Sequence, residues 1–260
     1  MTTDITNVNS GGGIITIPEY IKALPKDDLA DMRKCMSPPR IKVIQPQTGE
    51  PFKPPFVDGD SIIIPQGIHI GSTSQEFTFV PVHFFQTWAC FNPFKMKATL
   101  RYIRSMSFDP DSVVAKKAES FITEPCPENP KESIEYRKIM NFLIRIISPV
   151  GEYPSDPVTL VCMKGEYKQG RTLLGLIERR GAPRYVCQFN AISAYRASSD
   201  GKWYGLDFRN APQPFVSEAM VPSLRADHEI LVELVKNRQI SVDLDDTDVP
   251  NHSPDKETKF

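Results

Sequence analysis

The sequence predicts a mainly β chain with inserted helices, folded as a barrel or as a curved antiparallel sheet or sandwich, and finished by a C-terminal helix. Three observations predict it. Seven or eight segments rich in β-branched and aromatic residues are separated by Gly, Pro, Asn and Asp clusters. Ser199-Asp200-Gly201 stands between two alternating segments, and Asp-Gly supplies the positive φ angles of a tight hairpin. Helical spacing is confined to a few segments, with Leu173, Leu174 and Ile177 on one side of the clearest.

Taken in order, residues 1–39 read as a flexible N-terminal arm. Ser10-Gly11-Gly12-Gly13 is a hinge. Pro18–Leu24 and Asp27–Met36 are short helical turns, the second stopped by Pro38-Pro39. Arg40–Gln45 and Ser61–Ile64 are short strands. Phe77–Phe91 is apolar on both faces, which predicts a central buried strand, and Pro81 inside it predicts a bulge or an edge. Lys97–Met106 alternates, with Ala98, Leu100, Tyr102 and Met106 on one face. Asp111–Ser120 is a helix begun by Asp109 or Asp111. Thr123–Lys131, with three prolines, is a loop. Ile139–Ile147 and Val158–Met163 are strands. Glu166–Arg180 is a helix ended by Gly181-Ala182-Pro183. Arg184–Ala197 and Lys202–Phe208 form the hairpin. Ser217–Lys236 is the closing helix, with Pro222 breaking or kinking its first turns. A five-stranded barrel of the oligonucleotide-binding type, enlarged by extra strands and helices, fits this count. A two-sheet sandwich fits it too.

With 260 residues the chain can bury a substantial core. It divides into the arm 1–39, a single β-rich domain 40–239 and an acidic tail 240–260 expected to be disordered. No apolar run reaches the roughly 18–20 residues that span a bilayer, and the N-terminus lacks a signal-peptide pattern, so a cytoplasmic protein without membrane contact is expected. Cys35, Cys90, Cys126, Cys162 and Cys187 are odd in number, widely spaced and without a C-x-x-C, which reads as reduced thiols. His69, His83, His228 and His252 are too scattered for a metal motif. Walker, Rossmann and nucleophile-elbow patterns are absent. The expectation is no enzyme, no catalytic residue, no metal and no cofactor.

Charge is distributed unevenly. The formal net charge is −1. Between Lys164 and Arg209, nine Lys/Arg face four acids, whereas between Asp243 and Phe260, six carboxylates face two lysines. A basic region followed by an acidic tail points to a polyanion ligand. Within the basic region the hairpin is the leading site. If Tyr185, Cys187, Phe189 and Ala191 face the core, then Arg184, Gln188, Asn190, Arg196 and Trp203 face outward. Cations for phosphates beside a flat ring for bases suit single-stranded nucleic acid. Lys164-Gly165-Glu166-Tyr167-Lys168-Gln169-Gly170-Arg171 is Gly-punctuated and basic and could hold a phosphate. The expected nucleic-acid-binding set is Lys97, Arg101, Lys164, Lys168, Arg171, Arg184, Gln188, Asn190, Arg196, Lys202 and Trp203. Phe84, Phe85, Trp88 and Phe91 read as core rather than a stacking stripe.

The basic hairpin around Gly201-Lys202-Trp203-Tyr204-Gly205 and the tail Asp243–Phe260 together resemble the single-stranded DNA-binding proteins of T7-like phages. The match covers under a fifth of the chain. The resemblance implies an oligonucleotide-binding barrel acting on single-stranded DNA in phage replication or recombination, in the host cytoplasm. It also implies that Asp243, Asp245, Asp246, Asp248 and Phe260 contact replication or recombination proteins and compete with DNA for the basic groove. The chain departs from that pattern in its length and in Lys256 and Lys259, which interrupt the acidity before Phe260. Two other classes stand beside this one: a non-enzymatic structural or interaction protein, such as a virion component or inhibitor, and a nucleic-acid-processing enzyme. Oligomeric state is left open.

Overall fold

The computed structural model describes residues 38–48, 52–93, 96, 100, 102–148, 156–198 and 201–240. The expected arm, apart from Pro38 and Pro39, and the acidic tail beyond Ile240 lie outside the described residues, as do Ser199, Asp200, Lys97 and Arg101.

The elements run β1 (Arg40–Val43), β2 (Ser61–Ile64), β3 (Ile68–Gly71), β4 (Phe77–Phe91), β5 (Ile103–Ser107), α1 (Val113–Glu119), β6 (Thr123–Cys126), β7 (Asn129–Ser148), β8 (Val158–Met163), α2 (Tyr167–Arg179), β9 (Cys187–Ser198), β10 (Gly201–Phe215) and α3 (Val221–Lys236). All ten strands belong to one curved, open sheet in the order β10-β9-β4-β7-β8-β1-β2-β3, with β5 added to β4 and β6 to β7. Every pairing is antiparallel except β1 with β8. The chain is thus mainly β, with α1 and α2 inserted between strands and α3 closing it, as expected.

β4 organises the sheet because its fifteen residues are apolar on both faces. It pairs with β7 along its whole length and with β9 through Phe77–Phe79. The ladder shifts register between Pro81 and His83, where proline's missing N–H forbids a regular rung. On one face Phe77, Phe79, Phe142, Ile144, Leu160, Phe189, Leu206 and Phe208 form a core that α2 covers with Leu173. On the other, Val80, Val82, Phe85, Ile139 and Leu143 pack against Leu224 and Leu231 of α3. Burying each such side chain stabilises the fold by roughly 1.5–3 kcal/mol. Trp88 and Phe91 are core, as expected.

Four local expectations are corrected. Thr123–Lys131 is not a loop but the hairpin joining β6 to β7. Pro125 is tolerated because β6 is an edge strand, bonded to β7 alone; Pro127 falls in the turn and Pro130 at the start of β7. Neither Asp109 nor Asp111 caps α1; Ser112 does, its hydroxyl accepting from the Ala115 N–H at 3.1 Å. Pro222 does not kink α3 but sits in its first turn, where no intrahelical N–H bond is lost. Among the described residues the strands number ten, and β4, β7, β9 and β10 are long, at 15, 20, 12 and 15 residues.

The sheet leaves a seam that positions the site. β8 runs parallel to β4 through β7, and β10 runs parallel to β4 through β9, so β8 and β10 are parallel to each other. β1 lies between them, with a backbone rung to β8 at Thr159 and none to β10. Side chains span the remaining gap. The Gln45 amide donates to the Tyr204 carbonyl and accepts from the Tyr204 N–H, both at 2.8 Å. The Glu166 carboxylate accepts the next outward N–H of β10, that of Leu206, at 3.0 Å.

Candidate functional site

Beside this seam, where the first half of β7, the end of β8 and the start of β10 come together, an open cleft of about 800 Å³ is lined by residues from five parts of the chain. Tyr102 comes from the turn before β5, Phe121 from the turn after α1, Glu135, Arg137 and Lys138 from β7, Lys164 to Tyr167 from the β8–α2 junction, and Trp203 from β10.

The β8–α2 junction shapes one wall. Lys164 takes a left-handed φ of 49° and opens a 3₁₀ turn over Lys164–Glu166. Its Nζ donates to the Tyr102 hydroxyl at 2.6 Å and lies 4.7 and 4.9 Å from the ring centroids of Phe91 and Tyr102. A cation held over two rings in this way is a cation–π site. Glu135 stands 3.5 Å from the Lys164 ammonium and 3.3 Å from the Arg137 guanidinium. Lys138 is paired with Glu119. That ion pair, together with the indole N–H of Trp88 at 3.1 Å, holds the Glu119 carboxyl below the usual carboxylate range.

Glu166 builds the other wall. One carboxylate oxygen accepts from Arg196 Nε at 2.9 Å and Trp203 Nε1 at 3.1 Å, and the second accepts from the Leu206 backbone. The carboxylate lies so close to the β10 backbone that a Cβ at position 205 would push it away from these partners, which Gly205 avoids. Trp203 in turn lies against Gly165, where a Cβ would stand 3.1 Å from the indole ring. The indole is therefore half-buried and fixed, with its ring bordering the cleft.

Of the expected nucleic-acid-binding residues, Lys164 and Trp203 line this cleft. Lys168 and Arg171 are exposed on α2, and Lys202 is exposed beside Trp203. Arg184 sits in the 3₁₀ turn before β9, close enough to His83 for its charge to be felt there. The outward facing expected of Gln188, Asn190 and Arg196 is not found. Gln188 is buried and donates to the Phe215 carbonyl at 2.7 Å. Asn190 is buried between Glu76 and Thr78. Arg196 is mostly buried and spans Glu166 and Asp207 at 2.9 and 2.8 Å. Polar side chains go inward here because each finds partners across the sheet. Phe121, Arg137 and Lys138 were not read from the sequence as site residues. The signal of Arg137 and Lys138 is weak because the first half of β7 is too polar to announce a strand, and Phe121 lies in the turn after α1, where a helix end calls for glycine.

Cys90, Cys126, Cys162 and Cys187 are free and buried, and burial pushes the thiols of Cys90, Cys162 and Cys187 up, away from the nucleophilic thiolate. Among the described residues no cluster of three His, Cys, Asp or Glu is placed to hold a metal ion, and no helix is long and apolar enough to cross a membrane. Compared with known protein families, curated proteins and solved structures, the chain matches none.

Proposed function

We propose that this chain binds single-stranded DNA, without strong sequence preference, in the cleft between β7, the β8–α2 junction and β10. The observation that carries the reading is the cleft itself: Tyr102, Phe121 and Trp203 from three separate elements share it with Lys164, Arg137 and Lys138. Rings for bases and cations for phosphates, in an open groove, are the two needs of single-strand recognition. The connectivity supports the same reading. In chain order β4, β7 and β8, then α2, then β9 and β10 run as the strands of an oligonucleotide-binding barrel do. The sheet nevertheless stays open: its order is β10-β9-β4-β7-β8-β1, and the side chains of Gln45 and Glu166, rather than a backbone ladder, reach from the β8–β1 side to β10. The barrel fold binds its ligand on the face of its second and third strands and at the neighbouring loops, which here correspond to β7, β8, the β4–β7 connection bearing Tyr102 and Phe121, and the β9–β10 turn, with Trp203 on β10 just after it.

A role in phage-type replication or recombination follows from the same proposal, with Asp243, Asp245, Asp246, Asp248 and Phe260 competing for the groove and contacting partner proteins. The free thiols fit a reducing, cytoplasmic setting. The test is a salt titration of binding to single-stranded DNA, single-stranded RNA and duplex. Affinity for the single DNA strand should fall steeply, with a log–log slope of about −0.7 per phosphate neutralised. A flat salt response or a preference for duplex would overturn the reading.

A further inference from the structure

We infer that Phe121 is a base-stacking residue, held at the mouth of the cleft in a strained backbone conformation to meet an unpaired nucleobase. The inference rests on the reading of the cleft as a single-strand site. It starts from the end of α1. The Ile122 N–H bonds to the Lys117 carbonyl at 3.0 Å, and the Phe121 N–H to the Ala118 carbonyl at 3.2 Å. This pair of bonds is a Schellman termination, in which the residue after the C-cap turns left-handed. Glycine ordinarily occupies that position, because any Cβ there is strained. Here it is Phe121, at φ 52°.

Core packing does not compensate for the strain, because Phe121 is 66% exposed. The turn needs no aromatic ring; it would form more readily with glycine. A large ring kept in an unfavourable backbone region and presented to solvent is the kind of outlier that marks a binding site. Its surroundings name the occupant. The same cleft is lined by Tyr102, Trp203 and the cationic residues Lys164 and Arg137. A lone apolar contact for a protein would not need those cations. A nucleotide would use both: the ring for its base, Lys164 and Arg137 for its phosphates.

The test separates stability from binding in the full chain. In Phe121→Gly the strain is removed, so the urea midpoint should rise. Affinity for a fluorescent oligothymidylate should fall roughly 5- to 150-fold, the range of one lost base stack. Phe121→Tyr and Phe121→Trp should retain affinity. Phe121→Leu, which keeps bulk and strain but has no π face, should bind as weakly as the glycine variant. A strand carrying abasic sites should bind wild type and Phe121→Gly alike. Wild-type affinity in Phe121→Gly, alongside weakened binding by Trp203→Ala, would overturn the role of Phe121 alone, as would full affinity in Phe121→Leu. Failure of the wild-type protein to bind any single strand at low salt would overturn the site reading and this inference with it.

Discussion

The Glu166 carboxylate accepts the indole N–H of Trp203 at 3.1 Å, joining the start of α2 to the outer strand of the sheet. The same oxygen holds Arg196, and its twin caps the Leu206 N–H. One side chain therefore orients the indole, neutralises a buried guanidinium and satisfies the edge of β10. Removing it leaves the indole and the Leu206 N–H without their acceptor and leaves Arg196 with Asp207 and the Leu206 carbonyl alone. Glu166→Ala should cost roughly 2–4 kcal/mol in urea unfolding, because a mostly buried cation loses one of its two carboxylates and a backbone N–H is orphaned. In a Trp88→Phe background, emission from Trp203 should also shift to longer wavelength as the ring loosens.

Trp203 itself should be tolerant of change in the fold and intolerant in binding. Trp203→Ala gives up one hydrogen bond, worth about 1 kcal/mol of stability, and the packing of a half-buried ring on Gly165, worth roughly 1 kcal/mol more, while Glu166 keeps its other two partners. It should weaken single-strand affinity by roughly 1–3 kcal/mol. In the wild type, adding the strand should quench tryptophan emission, and Trp88→Phe should leave that quenching in place, because Trp88 is 7% exposed and bonded to Glu119. Unfolding of Trp203→Ala, or unchanged affinity, would remove Trp203 from the site.

The parts of this fold legible in the sequence are those where one physical signal dominates. β4 shows itself by a long run that is apolar on both faces, β8 by a short β-branched one, and α2 by its amphipathic spacing. The β9–β10 hairpin is announced by Asp-Gly, and its register runs without a break from Gly201 to Asn210. What stays hidden is set by partners far away in sequence. Gln45 and Tyr204 meet across 159 positions, so nothing local marks Gln45 as the side chain bridging the seam. Gln188 and Asn190 look like solvent-facing polar residues until their partners Phe215, Glu76 and Thr78 are known. β6 is hidden because its proline signals a loop unless the strand is at an edge. Phe121 is hidden for the opposite reason: the pattern calls for glycine at the end of α1, and the sequence departs from it.

Stability should fall as the solution is acidified below neutrality. His83 lies beneath α3 with its ring 5.7 Å from that of His228 and 6.4 Å from that of Phe85. Burial, then the charges of Arg184 and His228, lower its pKa from 6.5 to about 4. The folded state therefore keeps this imidazole neutral while the unfolded chain takes up a proton near pH 6.5. Between those values the unfolded state binds more protons, so its contribution is whole above about pH 6.5 and is lost progressively as pH falls towards 4. Urea midpoints measured from pH 8 to pH 4 should follow that course, and His83→Phe should flatten it. An unchanged pH profile in that variant would assign the acid sensitivity elsewhere.

Glu135 should compete with the ligand. Its carboxylate stands between Arg137 and Lys164, where a phosphate would bind under the proposed function. Glu135→Gln keeps the shape and removes the charge, so single-strand affinity should rise roughly two- to fivefold, the scale of an exposed ion pair. The gain should shrink as salt is added. Equal affinities at low salt would mean that phosphates do not reach these two cations.

The acidic tail should act in the same sense and from further away. Asp243, Asp245, Asp246 and Asp248 carry charge that a basic groove attracts, and a bound strand must displace it if the tail competes there. Deleting residues 243–260 should therefore raise single-strand affinity, and raise it most at low salt, where screening is weakest. Combining the deletion with Glu135→Gln shows whether the two act on one set of cations. If both compete for Lys164 and Arg137, the double variant should gain less than the product of the two single gains, because each cation can be vacated only once. If the gains multiply, the tail acts on other cations, and Lys168, Arg171 and Lys202, all exposed, are the next to be changed. Unchanged affinity after deletion, together with an unchanged set of co-purifying partner proteins, would leave the tail no part in the groove.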